Sequence, residues 1–190
     1  MKRIVSGLAV FALMAVASNA NAQLPARPIR VGISGGVSQP VGNASDVYKM
    51  GFDLGALAEL RAPAMPVALR AEFMYHRYGI KDEVAGALGA SGGNSRMLAG
   101  TANLVYSLPL PGLVKPYLIG GVGLYNGKTK LDVNGSSSES ESSTDFGLNG
   151  GAGVEFGLAG LSTFVEARVH SVSTEGSRTN FVPVTVGIKF

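Results

Sequence analysis

Three short stretches carry residue types that do chemistry elsewhere. Gly32-Ile33-Ser34-Gly35-Gly36 matches G-x-S-x-G. In that motif a serine on a strained strand-to-helix turn attacks an ester, assisted by an acid and a histidine further along the chain. No helical periodicity follows Gly36, so the stretch reads as an ordinary strand face of small residues. Gly123-Leu124-Tyr125-Asn126-Gly127-Lys128-Thr129 ends like a phosphate-binding loop, but Val occupies position 122, where the first glycine is required, and a serine-rich stretch replaces the helix. His170 is followed by Ser171, Ser173 and Glu175, a set that suits nucleophilic attack on an ester. His170 shares the parity of Glu166 and Arg168, which points it to the polar side of its segment. His76 reads in the same way.

The elements that would position these residues are defined by alternation of period two, which makes a strand with two unlike sides. Val182-Pro183-Val184-Thr185-Val186-Gly187-Ile188-Lys189-Phe190 shows it best, with Val182, Val184, Val186, Ile188 and Phe190 on one side. Strands are expected at 29–38, 48–60, 66–77, 95–107, 116–126, 145–158, 161–171 and 181–190. Connections 39–47, 78–94, 127–144 and 172–180 are polar. Those at Arg61–Met65, Leu108–Lys115 and Ala159–Gly160 are short and carry Pro or Gly. The acidic run Asn134–Asp145 reads as a solvated loop.

The two sides differ in chemistry. Ile29, Val31, Ile33 and Val37 share a side in the first segment, and Met50, Phe52, Leu54 and Ala56 in the second. Val67, Leu69, Ala71, Phe73 and Tyr75 follow in the third, and Leu98, Ala102, Leu104 and Tyr106 in the fourth. Phe146, Leu148, Ala152, Val154 and Phe156 share a side in the sixth, and Leu161, Val165, Ala167 and Val169 in the seventh. No charge falls among them. Arg30, Lys49, Asp53, Arg70, Glu72, Glu155, Glu166, Arg168 and Lys189 occupy the opposite sides. Tyr117–Tyr125 has apolar residues at both parities and cannot be oriented from sequence.

Composition agrees with burial in lipid. Charged residues are 15% of the chain, against ~25% in an average soluble domain. Glycine is 27 of 190 residues. Lys2 and Arg3, the apolar run Ile4–Ala17 and Ala20-Asn21-Ala22 form a secretory signal peptide over residues 1–22. Without Lys2 and Arg3 the balance is 14 basic against 13 acidic residues, which does not call for nucleic acid. Cysteine is absent, which excludes disulfides and thiolate metal sites, and neither a metal nor a cofactor is indicated.

Lipid offers no hydrogen bonds to a backbone, so strands cross it only as a closed sheet. The expectation is an all-β chain: an eight-stranded antiparallel up-and-down transmembrane β-barrel over residues 23–190. Its apolar sides face acyl chains, and its charges, with His170, pair in the interior. Tyr48, Tyr75, Tyr106, Phe146, Phe156 and Phe190, near strand ends, would form aromatic girdles. Both termini then lie at the short-turn rim, with the longer connections at the other.

Four motifs carry a resemblance: Lys115-Pro116-Tyr117-Leu118-Ile119-Gly120-Gly121-Val122-Gly123-Leu124; Gly150-Gly151-Ala152-Gly153-Val154-Glu155-Phe156; Phe164-Val165-Glu166-Ala167-Arg168; and the ending Val186-Gly187-Ile188-Lys189-Phe190. In this order and spacing the chain resembles the outer-membrane β-barrel domain family, in its eight-stranded OmpA/OmpX-like group. The resemblance implies the outer membrane of a Gram-negative-type bacterium, contact with outer-membrane lipid and lipopolysaccharide, and insertion by the barrel-assembly machinery. Phe190, with Ile188 and Val186, matches the assembly signal. It implies no single activity. A monomeric, non-enzymatic frame acting in envelope structure or through surface loops leads. A small passive pore, a lipid A-modifying hydrolase centred on His170 and a soluble secreted ligand-binding barrel are the alternatives. For the hydrolase, the resembling enzymes place the serine two residues after the histidine, where this chain has Val172.

Overall fold

The computed structural model describes residues 28–61, 66–87, 89–90, 92–133, 136–139, 142–158, 161–174 and 177–190. The leader expected at 1–22 lies outside these residues, as do Glu175 and most of the turns at 62–65 and 159–160. Among the described residues no helix is long and apolar enough to cross a membrane.

Eight long strands form one antiparallel ring. They are β1 (Ile29–Val41), β2 (Gly51–Arg61), β3 (Val67–Gly79), β4 (Gly92–Ser107), β5 (Val114–Val133), β7 (Ser143–Leu158), β8 (Leu161–Thr174) and β9 (Ser177–Lys189); a short β6 (Ser136–Glu139) folds back on the end of β5. The order β4-β3-β2-β1-β9-β8-β7-β5 closes through β4–β5 pairing. The seam between the first and last strands runs from Gly32 opposite Lys189 to Val41 opposite Asn180, and the Phe190 N–H donates to the Val31 carbonyl at 2.8 Å. Closure satisfies the main-chain groups that lipid cannot.

The outward side is the apolar one. Ile33, Leu54, Leu69, Phe73, Leu104, Leu148, Val169 and Val186 are all more than half exposed. The inverse holds for charge: Arg70, Glu59, Glu166 and Lys189 are each only 1% exposed. A soluble barrel would invert both. β5, ambiguous in sequence, is oriented by its neighbours: Leu118, Val122 and Leu124 face out, and Tyr117, Ile119 and Tyr125 are buried. Inside, Tyr117 and Tyr125 lie over glycines of neighbouring strands. A Cβ at Gly153 would enter the Tyr117 ring, and one at Gly147 would lie 2.7 Å from the Tyr125 ring.

The polar connections are shorter and more ordered than alternation implies. β1 runs on to Val41 and is followed by α1 (Asn43–Val47). The 78–94 connection contains α2 (Asp82–Ala87). β5 continues to Val133, paired with Gly92–Ser95 of β4 and with β6, where sequence reads a loop at 127–144. The 172–180 connection contracts to a tight hairpin, because β8 reaches Thr174 and pairs it with Ser177. The β5 extension lies beyond the apolar belt, where neither side of a ladder needs to be apolar, so alternation does not reveal it.

Outward aromatics gather at both margins: Phe52, Tyr75 and Phe146 toward the longer connections, and Tyr106, Phe156 and Phe190 toward the short turns. Phe52 and Tyr75 sit with ring centroids 6.3 Å apart. Tyr48 is not among them. It precedes β2, bridges to Ile80 and packs with Ile80, Ala85, Ala90 and Val84 in a small core among the connections.

Candidate functional site: the filled bore

Period two sends every second side chain of eight strands into one narrow space, so the bore is where polar residues converge. Its half nearer the short turns is ionic. Arg70, from β3, is the hub. Its Nε and Nη2 donate to Glu59 at 3.0 and 2.8 Å, and its Nη1 donates to Glu166 at 2.9 Å and lies 3.6 Å from Glu72. The centroids of the Tyr117 and Phe164 rings both lie 5.4 Å from its guanidinium carbon, within cation–π range. Arg168 bridges Glu166 and Glu72 from β8. Lys189 joins Glu155 to Glu59. Arg30 reaches Glu155 at 2.8 Å from the half-exposed margin, and Arg61 holds the other Glu59 oxygen at 3.0 Å.

Neutral donors complete the carboxylates. The Tyr117 hydroxyl donates to Glu166 at 2.7 Å, and Asn103 donates to Glu72 at 3.1 Å. Asn149 in turn donates to Asn103 at 2.9 Å. Buried charge is tolerated when it is paired and its lone pairs are occupied; the cations supply the pairing and these donors fill further lone pairs, while Glu166 Oε1 meets Arg168 as an ion pair without a hydrogen bond among the described residues.

The other half of the bore is aromatic. The Tyr125 hydroxyl is 2.8 Å from His170 Nδ1. His170 stacks on Phe181 at 4.9 Å, Phe181 meets His76 edge-on at 5.1 Å, and His76 stacks on Tyr78 at 6.2 Å. Tyr78 shares a 2.7 Å hydrogen bond with Ser38. Strands β1, β3, β5, β8 and β9 thus send side chains into one layer across the bore. Outside it a pocket of about 80 Å³ opens among Pro40, Tyr48, Tyr78, Met97 and Phe181. Both carboxylate oxygens of Asp53 and both ring nitrogens of His76 are buried without a protein hydrogen bond among the described residues.

Of the charged residues assigned to the interior from sequence, Arg30, Arg70, Glu72, Glu155, Glu166, Arg168 and Lys189 come together in one ion-pair network. Asp53 and His170 are also inside, in the aromatic half. Lys49 is not in the bore. It lies before β2 begins, its N–H donates to the Gly79 carbonyl, and its half-exposed ammonium holds Asp82 of α2 at 2.8 Å. Alternation does not apply outside a strand. Glu59 and Arg61 are the members sequence reading missed. Glu59 shares the parity of Asp53 and stands between the outward Ala58 and Leu60, which was the available signal. Tyr117 and Tyr125 were hidden by the double parity of β5.

The arrangement does not assemble the hydrolytic set. Ser171 and Ser173 flank Val172 on the outward parity of β8, while His170 and Val172 are buried inside; adjacent residues of one strand cannot meet across it. Ser34 lies within continuous β1 rather than on an elbow, and Gly123–Thr129 lies within β5.

A closed eight-stranded ring with acyl-facing apolar sides and an ion-paired bore matches a known family model, that of the outer membrane protein beta-barrel domain, over residues 6–190. The chain belongs to this family. Its compartment is the outer membrane. Among solved structures it is similar to Neisserial surface protein A (17% identity, TM-score 0.59, covering 87% of this chain and 98% of that one). It is also similar to a major outer membrane protein from Thermus thermophilus (14%, 0.57, 86% and 99%) and to Ail, the attachment invasion locus protein of Yersinia pestis (19%, 0.52, 86% and 100%). No curated protein matches the chain by sequence. At these identities the likeness concerns the fold.

Proposed function

We propose that this outer-membrane barrel is a monomeric, non-enzymatic, non-conducting frame that holds the connections of its longer rim outside the cell, in contact with lipopolysaccharide and surface ligands. The filled bore is the observation that carries this reading. A solute would have to break the Arg70–Glu59–Glu166 and Arg168–Glu72 contacts and then pass the Tyr125–His170–Phe181–His76 layer, in a ring whose eight strands leave room only for side chains. The folded protein is expected to give no stable unitary conductance in planar bilayers, although unheated samples migrate differently from boiled ones on gels. A reproducible open level in preparations that retain the heat shift would overturn the frame and favour a pore.

We further propose that Val186, Ile188 and Phe190 form the edge read by the barrel-assembly machinery. All three face outward beside the seam, 51%, 40% and 48% exposed. Phe190→Ala is expected to lower the heat-shiftable protein recovered from outer membranes severalfold and to raise the soluble periplasmic pool. Equal recovery would remove this role.

A further inference from the structure

Near the longer rim three cations stand in one line on the outward side. Arg77 of β3 lies directly opposite Arg96 of β4, and Arg96 directly opposite Lys128 of β5. Each continues the acyl-facing parity of its strand, after Phe73 and Tyr75, before Leu98 and Gly100, and after Leu124 and Asn126 respectively. All three are exposed, and none makes an ion pair among the described residues. Neighbouring strands are ~4.8 Å apart, so the row is ~10 Å long. Like charges directly opposite one another destabilise a sheet. An anion bound against the row relieves that repulsion, and the carboxylates of the bore's ion-pair network are on the other side of the wall.

The height of the row identifies the source of that anion. Arg77 is ten residues beyond Val67, where the outward apolar run of β3 begins. At ~3.3 Å per residue and ~40° of tilt this is ~25 Å along the barrel axis, the full height of an acyl-facing band. The row therefore stands at headgroup level. Below it the wall sinks. Gly100 has nothing within 4 Å of the place a Cβ would occupy, and a mainly apolar recess of about 390 Å³ opens there, lined by Gly100, Ala102, Val122, Leu124 and Phe146 on the outward parity, with Glu72, Thr101 and Gly123 of the inward parity behind them. Cations above an acyl-facing recess match the two ends of one amphiphile.

We propose that Arg77, Arg96 and Lys128 bind the phosphate of a phosphorylated lipid of the surrounding leaflet, whose acyl chain lies in the recess at Gly100. The site rests on the outer-membrane frame above, and an intact heat shift separates failure of the site from failure of the frame. The test is native mass spectrometry of the full mature protein, released from micelles and titrated with bisphosphorylated lipid A or its dephosphorylated form. The variant Arg77→Gln/Arg96→Gln/Lys128→Gln is expected to hold the phosphorylated lipid about ten-fold or more weaker and the dephosphorylated lipid as the native protein does. Gly100→Leu, which alters no charge, is expected to weaken both lipids severalfold. A charge-matched control, Lys49→Gln/Lys81→Gln/Lys115→Gln, is expected to bind as the native protein does. Equal affinity of the native and triple-row proteins for phosphorylated lipid A would overturn the site. So would an equal loss in the control, competition by millimolar inorganic phosphate as strong as by the lipid, or a row-dependent preference for a sulfated oligosaccharide over the lipid.

Discussion

Arg70→Met is expected to destabilise the barrel by about 3–5 kcal/mol, the usual cost of breaking a buried ion pair by removing one partner. The change keeps the length of the apolar stem and removes the charge that Glu59, Glu166 and Glu72 share. Lys189 and Arg61 still reach Glu59, but the buried Glu72 and Glu166 are then left to share Arg168 alone. The measurement is the urea midpoint in phospholipid vesicles, read by the gel shift between folded and boiled forms. Asp53→Asn supplies the contrast. Its carboxylate is equally buried but has no hydrogen-bonded partner among the described residues, so an amide of the same shape is expected within about 0.5 kcal/mol of the native protein, or above it. A loss below about 1 kcal/mol for Arg70→Met would mean that the network does not hold the fold.

Ala71→Arg, one residue further along the same strand, is expected to cost about 2–4 kcal/mol for a different reason. Ala71 lies opposite Ala58 and Ala102 at the middle of the outward side, where a guanidinium has neither water nor a partner. Thr163→Arg, on the outward parity near the short-turn rim, is expected to cost about 0–1 kcal/mol, since the penalty falls with distance from the midplane. The same vesicle titration measures both. Equal costs at the two positions would contradict a lipid-facing belt at this height. A gain in stability at Ala71 would contradict an outward apolar side altogether.

Much of this architecture is legible in the residues because a strand exposes its two sides in strict alternation. Leu69, Ala71 and Phe73 against Arg70 and Glu72 suffice to show that β3 separates two unlike environments. The scarcity of charge, together with glycine among the polar positions, indicates which environment is lipid. Alternation fails where its physical cause is absent. Lys49 precedes its strand, and its direction follows the connection rather than the pleat. Residues 127–133 continue the β4–β5 ladder past the apolar belt, where neither side needs to be apolar. Tyr117 and Tyr125 lie on a strand apolar on both sides, because Gly153, Gly147 and Gly123 leave space inside for rings.

Sequence by itself thus determined a two-sided all-β chain built for the outer membrane, since period and composition are local properties. It did not determine which charges meet. Arg70 and Glu166 are 96 positions apart, and Lys189 and Glu59 are 130 apart. They become neighbours only when β4 pairs with β5 and β1 with β9. Closure sets the stagger of every strand against the one across the bore, and that stagger places three glutamates around one arginine and puts His170, Phe181 and His76 in a single layer.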